Sequence, residues 1–335
     1  MKAGKMSFDE LRDVILDNIK NKHINNDEVL VPTGIGEDSA VIDFGDEVLV
    51  VSSDPITGAV ENAGYIAVHV ACNDIAATGA RPFGIQVILL LPPSLSREDT
   101  SRIMREIDDT AEEINVAVLG GHTEVLDTIS KPLIIITALG KAGKDEYVRT
   151  GGACEGDQLV VTKGLGIEGT YILASDFADV LRRKGVKEEV LSVARDYGKK
   201  LSVLPEALIA RELGISAMHD ITEGGLYGAV WEMALASEKG FRLDMDKVEA
   251  TFETEEICGA LSVDPAGLIS SGSLLIASSD ADILIAELSE QGILAFSVGE
   301  IIAEGYKIRQ KDGFIQEMSE PPEDELWRLL VDKLK

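Results

Sequence analysis

The sequence is poor in cysteine, short of positive charge and free of long apolar runs. Its three cysteines, Cys72, Cys154 and Cys258, share no metal-ligand spacing, and an odd count makes no disulfide framework. A reducing cytoplasm is the expected setting. No apolar stretch approaches the roughly 20 residues that span a bilayer, so no membrane span is expected. The start, Met1-Lys2-Ala3-Gly4-Lys5, has lysines but no apolar segment behind them, and it does not read as a secretory signal. Lysine plus arginine number 31 against 59 acids, a net charge of -28. Such a chain repels nucleic acid and anionic lipid, and neither is an expected partner. A phosphate-bearing substrate would need metal ions between itself and these acids. The histidines His23, His69, His122 and His219 are scattered, and a satisfied core or surface residue is the ordinary expectation for each. No exact internal repeat and no low-complexity tract is present.

What is there suits two domains. A length of 335 residues exceeds one ordinary core, and 45% apolar residues can pack two. The most informative stretch runs from Val68 to Pro82. Ile66, Ala67, Val70 and Ala71 mark a helix that Gly79 and Pro82 stop. An apolar strand follows from Ile85 to Leu91 and is closed by Pro92-Pro93. Asn73 and Asp74 interrupt this apolar helix just before its end. A carboxylate there is costly unless paired. Local backbone donors or a divalent cation would each satisfy it, and both readings stay open at this point.

Elsewhere, Ser7 and Glu10 form a capping box for a first helix with Leu11, Val14, Ile15 and Ile19 on its stripe. Asn25-Asn26-Asp27 reads as a turn. Gly34-Ile35-Gly36 lets backbone amides approach a ligand, or simply makes a tight turn, and Glu37-Asp38 follows. A strand from Glu47 ends in Ser52-Ser53-Asp54-Pro55, which puts an acid at a strand's carboxyl end, facing a crevice. An amphipathic helix spans 96–115. A short strand at 116–119 runs into the turn Gly120-Gly121-His122-Thr123-Glu124, and another strand covers 133–139. Glycine and charge break the pattern near 140–156, which places a boundary between domains 1–145 and 146–335. A strand at 158–162 then leads through Lys163-Gly164-Leu165-Gly166 into a helix, a phosphate cradle or a sharp turn. Helices are expected over 188–213. The turn from His219 to Gly225 opens a further helix carrying Val230, Met233 and Ala234. Strands at 274–277 and 293–302 flank a helix at 281–291. The tail is acidic, then helical, with Leu326, Leu329, Leu330 and Leu334 on one stripe.

Five of these motifs occur in an order that resembles the AIR-synthase superfamily, which includes HypE, selenophosphate synthetase and thiamine-monophosphate kinase. They are Gly34-Ile35-Gly36-Glu37-Asp38-Ser39-Ala40-Val41, Ser53-Asp54, the segment Asn73 to Ala80, Gly120-Gly121-His122-Thr123-Glu124, and the segment Asp220 to Leu226. The resemblance covers about residues 30–305. It implies a PurM-like fold: an amino-terminal α/β domain that closes a barrel across a homodimer, and a carboxyl-terminal α+β domain. It also implies ATP-dependent activation of a carbonyl, amide or similar oxygen. Asp38, Asp54 and Asp74, with Glu37 beside them, would then hold magnesium ions. Gly34, Gly36, Ser53, Asn73, Gly120, Gly121, Thr123 and Lys163 would contact the nucleotide, and Asp220, Glu223 and His122 would lie near the reacting groups. Magnesium suits this arrangement, since it takes a few hard carboxylate oxygens and keeps several waters.

Within the superfamily, the second domain looks most like HypE, through Leu204-Pro205-Glu206-Ala207-Leu208-Ile209-Ala210 and Ile269-Ser270-Ser271-Gly272-Ser273-Leu274. HypE-like proteins carry a carboxyl-terminal cysteine that accepts a carbamoyl group, and this sequence ends Leu329-Leu330-Val331-Asp332-Lys333-Leu334-Lys335. The expected function is a HypE-like ATP-dependent enzyme, acting on a small molecule or on a thiocarboxamide from a partner protein and connected with hydrogenase maturation. A small-molecule kinase of the thiamine-monophosphate type and a non-catalytic nucleotide-binding maturation partner are the alternatives.

Overall fold

The computed structural model describes residues 6–19, 27–56 and 62–333. Helix α1 (Phe8–Glu10) is capped by Ser7, and loosely wound turns continue it to Asn18. Its expected apolar stripe is not buried, for Val14 and Ile15 are exposed. His23 and the turn at Asn25-Asn26 lie outside the described residues.

The first sheet contains β1 (Val29–Val31), β2 (Ala40–Asp43), β3 (Glu47–Ile56), β4 (Arg81–Leu91), β5 (Ala117–Val125) and β6 (Leu133–Gly143), in the order β1-β2-β3-β6-β4-β5. Helices α2 (Ala63–Ala77) and α3 (Arg97–Glu113) pack on one face. Helix α2 is buried at every residue from Ile66 to Ala77, as its mostly apolar sequence implies, and His69, Asn73 and Asp74 are buried with it. It ends at Thr78 and Gly79, where Gly79 takes a φ of 75° that disfavours other residues. Ser96 caps α3 by accepting from the Asp99 amide at 3.0 Å. Strand alternation turns Ile134, Ile136 and Ala138 toward the helices. The alternate residues Leu49, Val51, Ile88, Ile135 and Leu139 form a second apolar face that is only half-buried.

Edge strand β5 is exposed at every position. It corrects one expectation, because Gly120 and Gly121 make no turn. They continue the strand beside a bulge at Ile85/Gln86, with φ of 147° and 152°. A Cβ on Gly121 would lie 1.8 Å from the Val87 carbonyl oxygen, so the strand needs glycine there.

The second sheet contains β7 (Gln158–Thr162), β8 (Ala217–Ile221), β9 (Gly240–Asp244), β10 (Ser273–Ser278), β11 (Ala295–Ile302), β12 (Tyr306–Arg309) and β13 (Ile315–Glu317), in the order β13-β12-β9-β11-β7-β10-β8. Around it lie α4 (Ile167–Asp176), α5 (Ala178–Arg183), α6 (Glu188–Arg195), α7 (Leu204–Glu212), α8 (Gly225–Ala236), α9 (Phe252–Leu261), α10 (Ala281–Glu290) and α11 (Glu325–Lys333). A second correction falls here. His219 and Asp220 are inside β8 and fully buried, so the turn begins only after Ile221.

Asn73 links the two halves. Its side-chain amide donates to the Leu201 carbonyl at 2.8 Å, and its oxygen accepts from the Val203 amide at 2.9 Å. Both ends of the group are therefore occupied by backbone, which corrects its expected role at a phosphate. Helix α11 docks through the stripe residues described, with Leu326 buried and Leu329 and Leu330 against the cluster around α4 and α6, and Leu334 lies outside the described residues.

Candidate functional site

Acids from separate elements meet where the two sheets approach each other. Asp38 lies just before β2, Asp54 in β3, Asp74 in α2 and Asp220 in β8. His219 Nδ1 is 3.1 Å from Asp38 Oδ2, and its Nε2 is 2.9 Å from Glu232 Oε2 on α8. One ligand atom from each of Asp38, His219 and Asp220 lies within 4.8 Å of the others. Ser52 Oγ stands 2.5 Å from Asp74 Oδ2 and 3.0 Å from the Asp38 carbonyl, tying β3 to α2 and to the acidic loop.

These carboxylates are held together against their own repulsion. Burial, and then Asp54, Asp220 and Asp38, hold the Asp74 carboxyl well above the usual carboxylate range. Burial and Asp38 push Asp220 up to about 7, against the favourable charge of His219. Burial alone would lower His219, but Asp38 and Glu232 outweigh it and raise the imidazole well above its ordinary value. Both Asp220 carboxylate oxygens are buried without a hydrogen-bond partner. A native fold seldom leaves such atoms unsatisfied. A hard divalent cation would supply the missing charge and coordination, and the hard oxygens of Asp38, Asp54, Asp74 and Asp220 would suit magnesium. His219 is already held by two carboxylates and serves to orient Asp38.

Other expected residues are placed differently. Gly36 approaches protein rather than ligand: a Cβ there would lie 2.7 Å from the Glu232 carbonyl oxygen. Gly34 forms an isolated bridge with Glu37. Glu37 Oε1 accepts from the Gly151 amide at 3.1 Å and holds the interdomain segment, so this oxygen already has a backbone partner. Strand β3 runs on to Ile56, so Asp54 lies within it rather than at its end. Ser53 points to the opposite face from Asp54, 2.7 Å from Thr137 Oγ1. Lys163 is no free phosphate ligand, because its ammonium pairs with Glu206 at 2.6 Å and donates to the Lys200 and Ser202 carbonyls. His122 and Thr123 sit on the exposed edge strand. The row His122, Ile88, Ile135, Pro55 crosses the sheet, and its three strand spacings separate the His122 backbone from that beside Asp54 of its own chain by about 14 Å. Glu223 occupies the half-buried turn before α8.

His219, Ser52 and Glu232 were not anticipated as site residues. The signal for His219 was available: Ala-Met-His-Asp-Ile between Gly214 and Gly224 reads as a short strand, and a buried His-Asp pair needs a reason.

The family model "AIR synthase related protein, N-terminal domain" matches residues 36–142, and "AIR synthase related protein, C-terminal domain" matches 155–311. The chain belongs to the AIR-synthase-related family. This family member is 30% identical to a protein of Methanocaldococcus jannaschii named for hydrogenase expression and formation, over 94% of this chain and 91% of that one. It is 29% identical to a selenide, water dikinase of Carboxydothermus hydrogenoformans, over 91% of this chain and 94% of the relative. A crystal structure of the hydrogenase maturation protein HypE in complex with ATP superposes with a TM-score of 0.70 at 20% identity, covering 97% of this chain and 98% of the other. The two-domain PurM-like fold expected from the motifs is the fold observed. Among the described residues, no helix is long and apolar enough to cross a membrane.

Proposed function

We propose that this AIR-synthase-related chain is a magnesium-dependent, ATP-using enzyme that activates a carbonyl, amide or similar oxygen by phosphoryl transfer, with hydrogenase maturation as its setting. The observation that carries the reading is Asp220, whose buried carboxylate lacks any partner while facing Asp38 and Asp54. Asp38, Asp54, Asp74 and Asp220 would hold magnesium, which when bound offsets charge on transferring phosphoryl oxygens. The rest falls to the chain itself. Ser52 fixes Asp74, the His219–Glu232 pair fixes Asp38, and Asn73 holds the halves in register. The ATP-bound HypE structure and the dikinase relative support a nucleotide substrate. Calorimetric titration tests this: ATP should bind with magnesium and lose most of its affinity when the metal is chelated. Equal affinity in both conditions would remove the metal from the reading.

Two further expectations belong to the same proposal. The naked edge of β5 and the half-covered second face of its sheet suit a closed symmetric homodimer. There Gly120, Gly121, His122 and Thr123 would reach the partner's cluster. Light scattering at micromolar concentration should give a dimer, and a monomer would refute it. Carbamoyl carriage on a thiol is not expected. Burial pushes Cys72 and Cys258 up to about 12, which leaves the exposed Cys154 as the accessible thiol, away from the acidic cluster in the segment that joins the two halves. Intact-mass spectrometry after incubation with ATP, carbamoyl phosphate and a carbamoyltransferase should show an unmodified chain, and a stable adduct would restore the carrier mechanism.

A further inference from the structure

A second group of acids lies next to the metal cluster and plays no part in it. Glu168 is on the first turn of α4 and only 4% exposed. One face of its carboxylate is met by Ser271, but Oε2 has no hydrogen-bond partner. Asp324, just before α11, is 3% exposed. Its Oδ2 accepts from the Gly224 amide at 2.7 Å and its Oδ1 from the Leu326 amide at 2.8 Å. The docked tail thereby holds the turn that carries Glu223. Glu223 and Glu168 each bear on the charge of Asp324, and Glu223 on that of Glu168. Ser270 and Ser271 lead directly into β10, where Ser273 is opposite Ile221 and Leu274 opposite Asp220. The three carboxylates thus gather at the end of the β8/β10 pair that carries Asp220.

We propose that Glu168, Glu223 and Asp324 form a pocket for a cationic amino group of the substrate, beside the metal cluster. The proposal rests on the phosphoryl-transfer reading above and narrows its substrate to an amine-bearing molecule. Among the described residues, no lysine or arginine pairs with Glu168 or Asp324. Glu168 Oε2, buried and without a partner, calls for a donor. A bare metal ion fits less well, because among the described residues Glu168, Glu223 and Asp324 do not bring three ligand atoms within 4.8 Å of one another, as Asp38, His219 and Asp220 do. Carboxylates spaced more widely suit an ammonium, whose three N–H donors diverge. Burial first, then Glu223, pushes Glu168 up to about 7, and Asp324 also stands at about 7. A bound cation would draw both into the ionised form.

Saturation-transfer NMR with methylammonium chloride tests the pocket at about pH 8, above the usual carboxylate range, with magnesium chelated and nucleotide absent. Wild-type protein should transfer saturation to the probe's methyl group. Glu168→Gln should weaken binding at least about tenfold, as loss of a charge-assisted hydrogen bond implies. Tetramethylammonium, which has no N–H, should not distinguish the two proteins. Equal transfer to methylammonium from wild type and variant would mean attraction to the acidic surface only, and would overturn the proposal. So would absence of transfer from wild type. Should Glu168→Gln not melt as wild type does, Glu223→Gln on the half-buried turn gives the same readout, and equal transfer there overturns the proposal likewise. The assay contains neither ATP nor magnesium. Its failure leaves the phosphoryl-transfer reading standing, and failure of the magnesium-ATP titration leaves the NMR result unaffected.

Discussion

Asp74→Asn will bind magnesium-ATP about 100-fold or more weakly than the wild-type protein, since even groups that only support metal ligands cost 10–100-fold when removed. The fold should persist. The amide oxygen can still accept from Ser52, and removing one of several buried, mutually repelling carboxylates relieves the metal-free protein. Without magnesium the variant should therefore be more stable, by roughly 1 kcal/mol or about 2 °C in melting temperature for a chain of this size. The pH dependence follows from the sign of the shifts. A carboxyl raised in the folded state keeps its proton after the unfolded chain has lost its own. Stability consequently falls as pH climbs from the ordinary carboxylate value toward the folded one, about 7 for Asp220. His219, also raised, adds in the same direction, since the stability it contributes is lost as pH rises through its folded value. Metal-free wild type should melt progressively lower between about pH 4 and 7, and the variant should show a flatter profile. Calorimetry and thermal melts measure both effects. Unchanged affinity in Asp74→Asn and in Asp54→Asn would sink the metal assignment.

The second large effect lies at Lys163. Its ammonium is the counter-charge of Glu206, which is 2% exposed and also accepts from Thr162 Oγ1. Burial lowers the lysine's pKa, and Glu206 works against that lowering. Lys163→Met leaves Glu206 ionised and unpaired in the interior, at a cost of about 3–5 kcal/mol. Adding Glu206→Gln should recover most of the loss, because the buried charge disappears with its partner. Denaturant unfolding of wild type, single and double variants measures it. A single variant within about 1 kcal/mol of wild type would show that the pair is unimportant to the fold and return the lysine to consideration as a phosphate ligand.

The contrast between Asp74 and Lys163 shows where the sequence was legible. Long apolar segments announced themselves: α2, β4 and β6 are where periodicity and glycine-proline stops put them, and the tail helix docks by the stripe that named it. Asp74 stood out because an aspartate inside an apolar run needs a partner, whereas Asp38 and Asp54 were singled out by the family resemblance. Glycine misled in both directions. Gly36 answers to the backbone of α8, and Gly121 to that of β4, each a neighbour distant in sequence that no local pattern reveals. Lys163 looked like a phosphate ligand for the same reason, since Glu206 reaches it only through the fold. His219 was passed over because a lone histidine is usually unremarkable, and its two carboxylate partners come from Asp38 and Glu232 on other elements.

The Asn73 bridge has a consequence for rates. Its two hydrogen bonds join residues 128 and 130 positions apart, and the acidic cluster draws on both sides of that join. Contacts so remote in sequence close late, after each sheet has gathered its own core. The cluster is therefore absent from the early folding barrier and must be dismantled on the way out. On the proposed reading, magnesium bound there would act as a brake on unfolding, with little effect on how fast the chain folds, and the lifetime of the native protein would become a property of the metal supply.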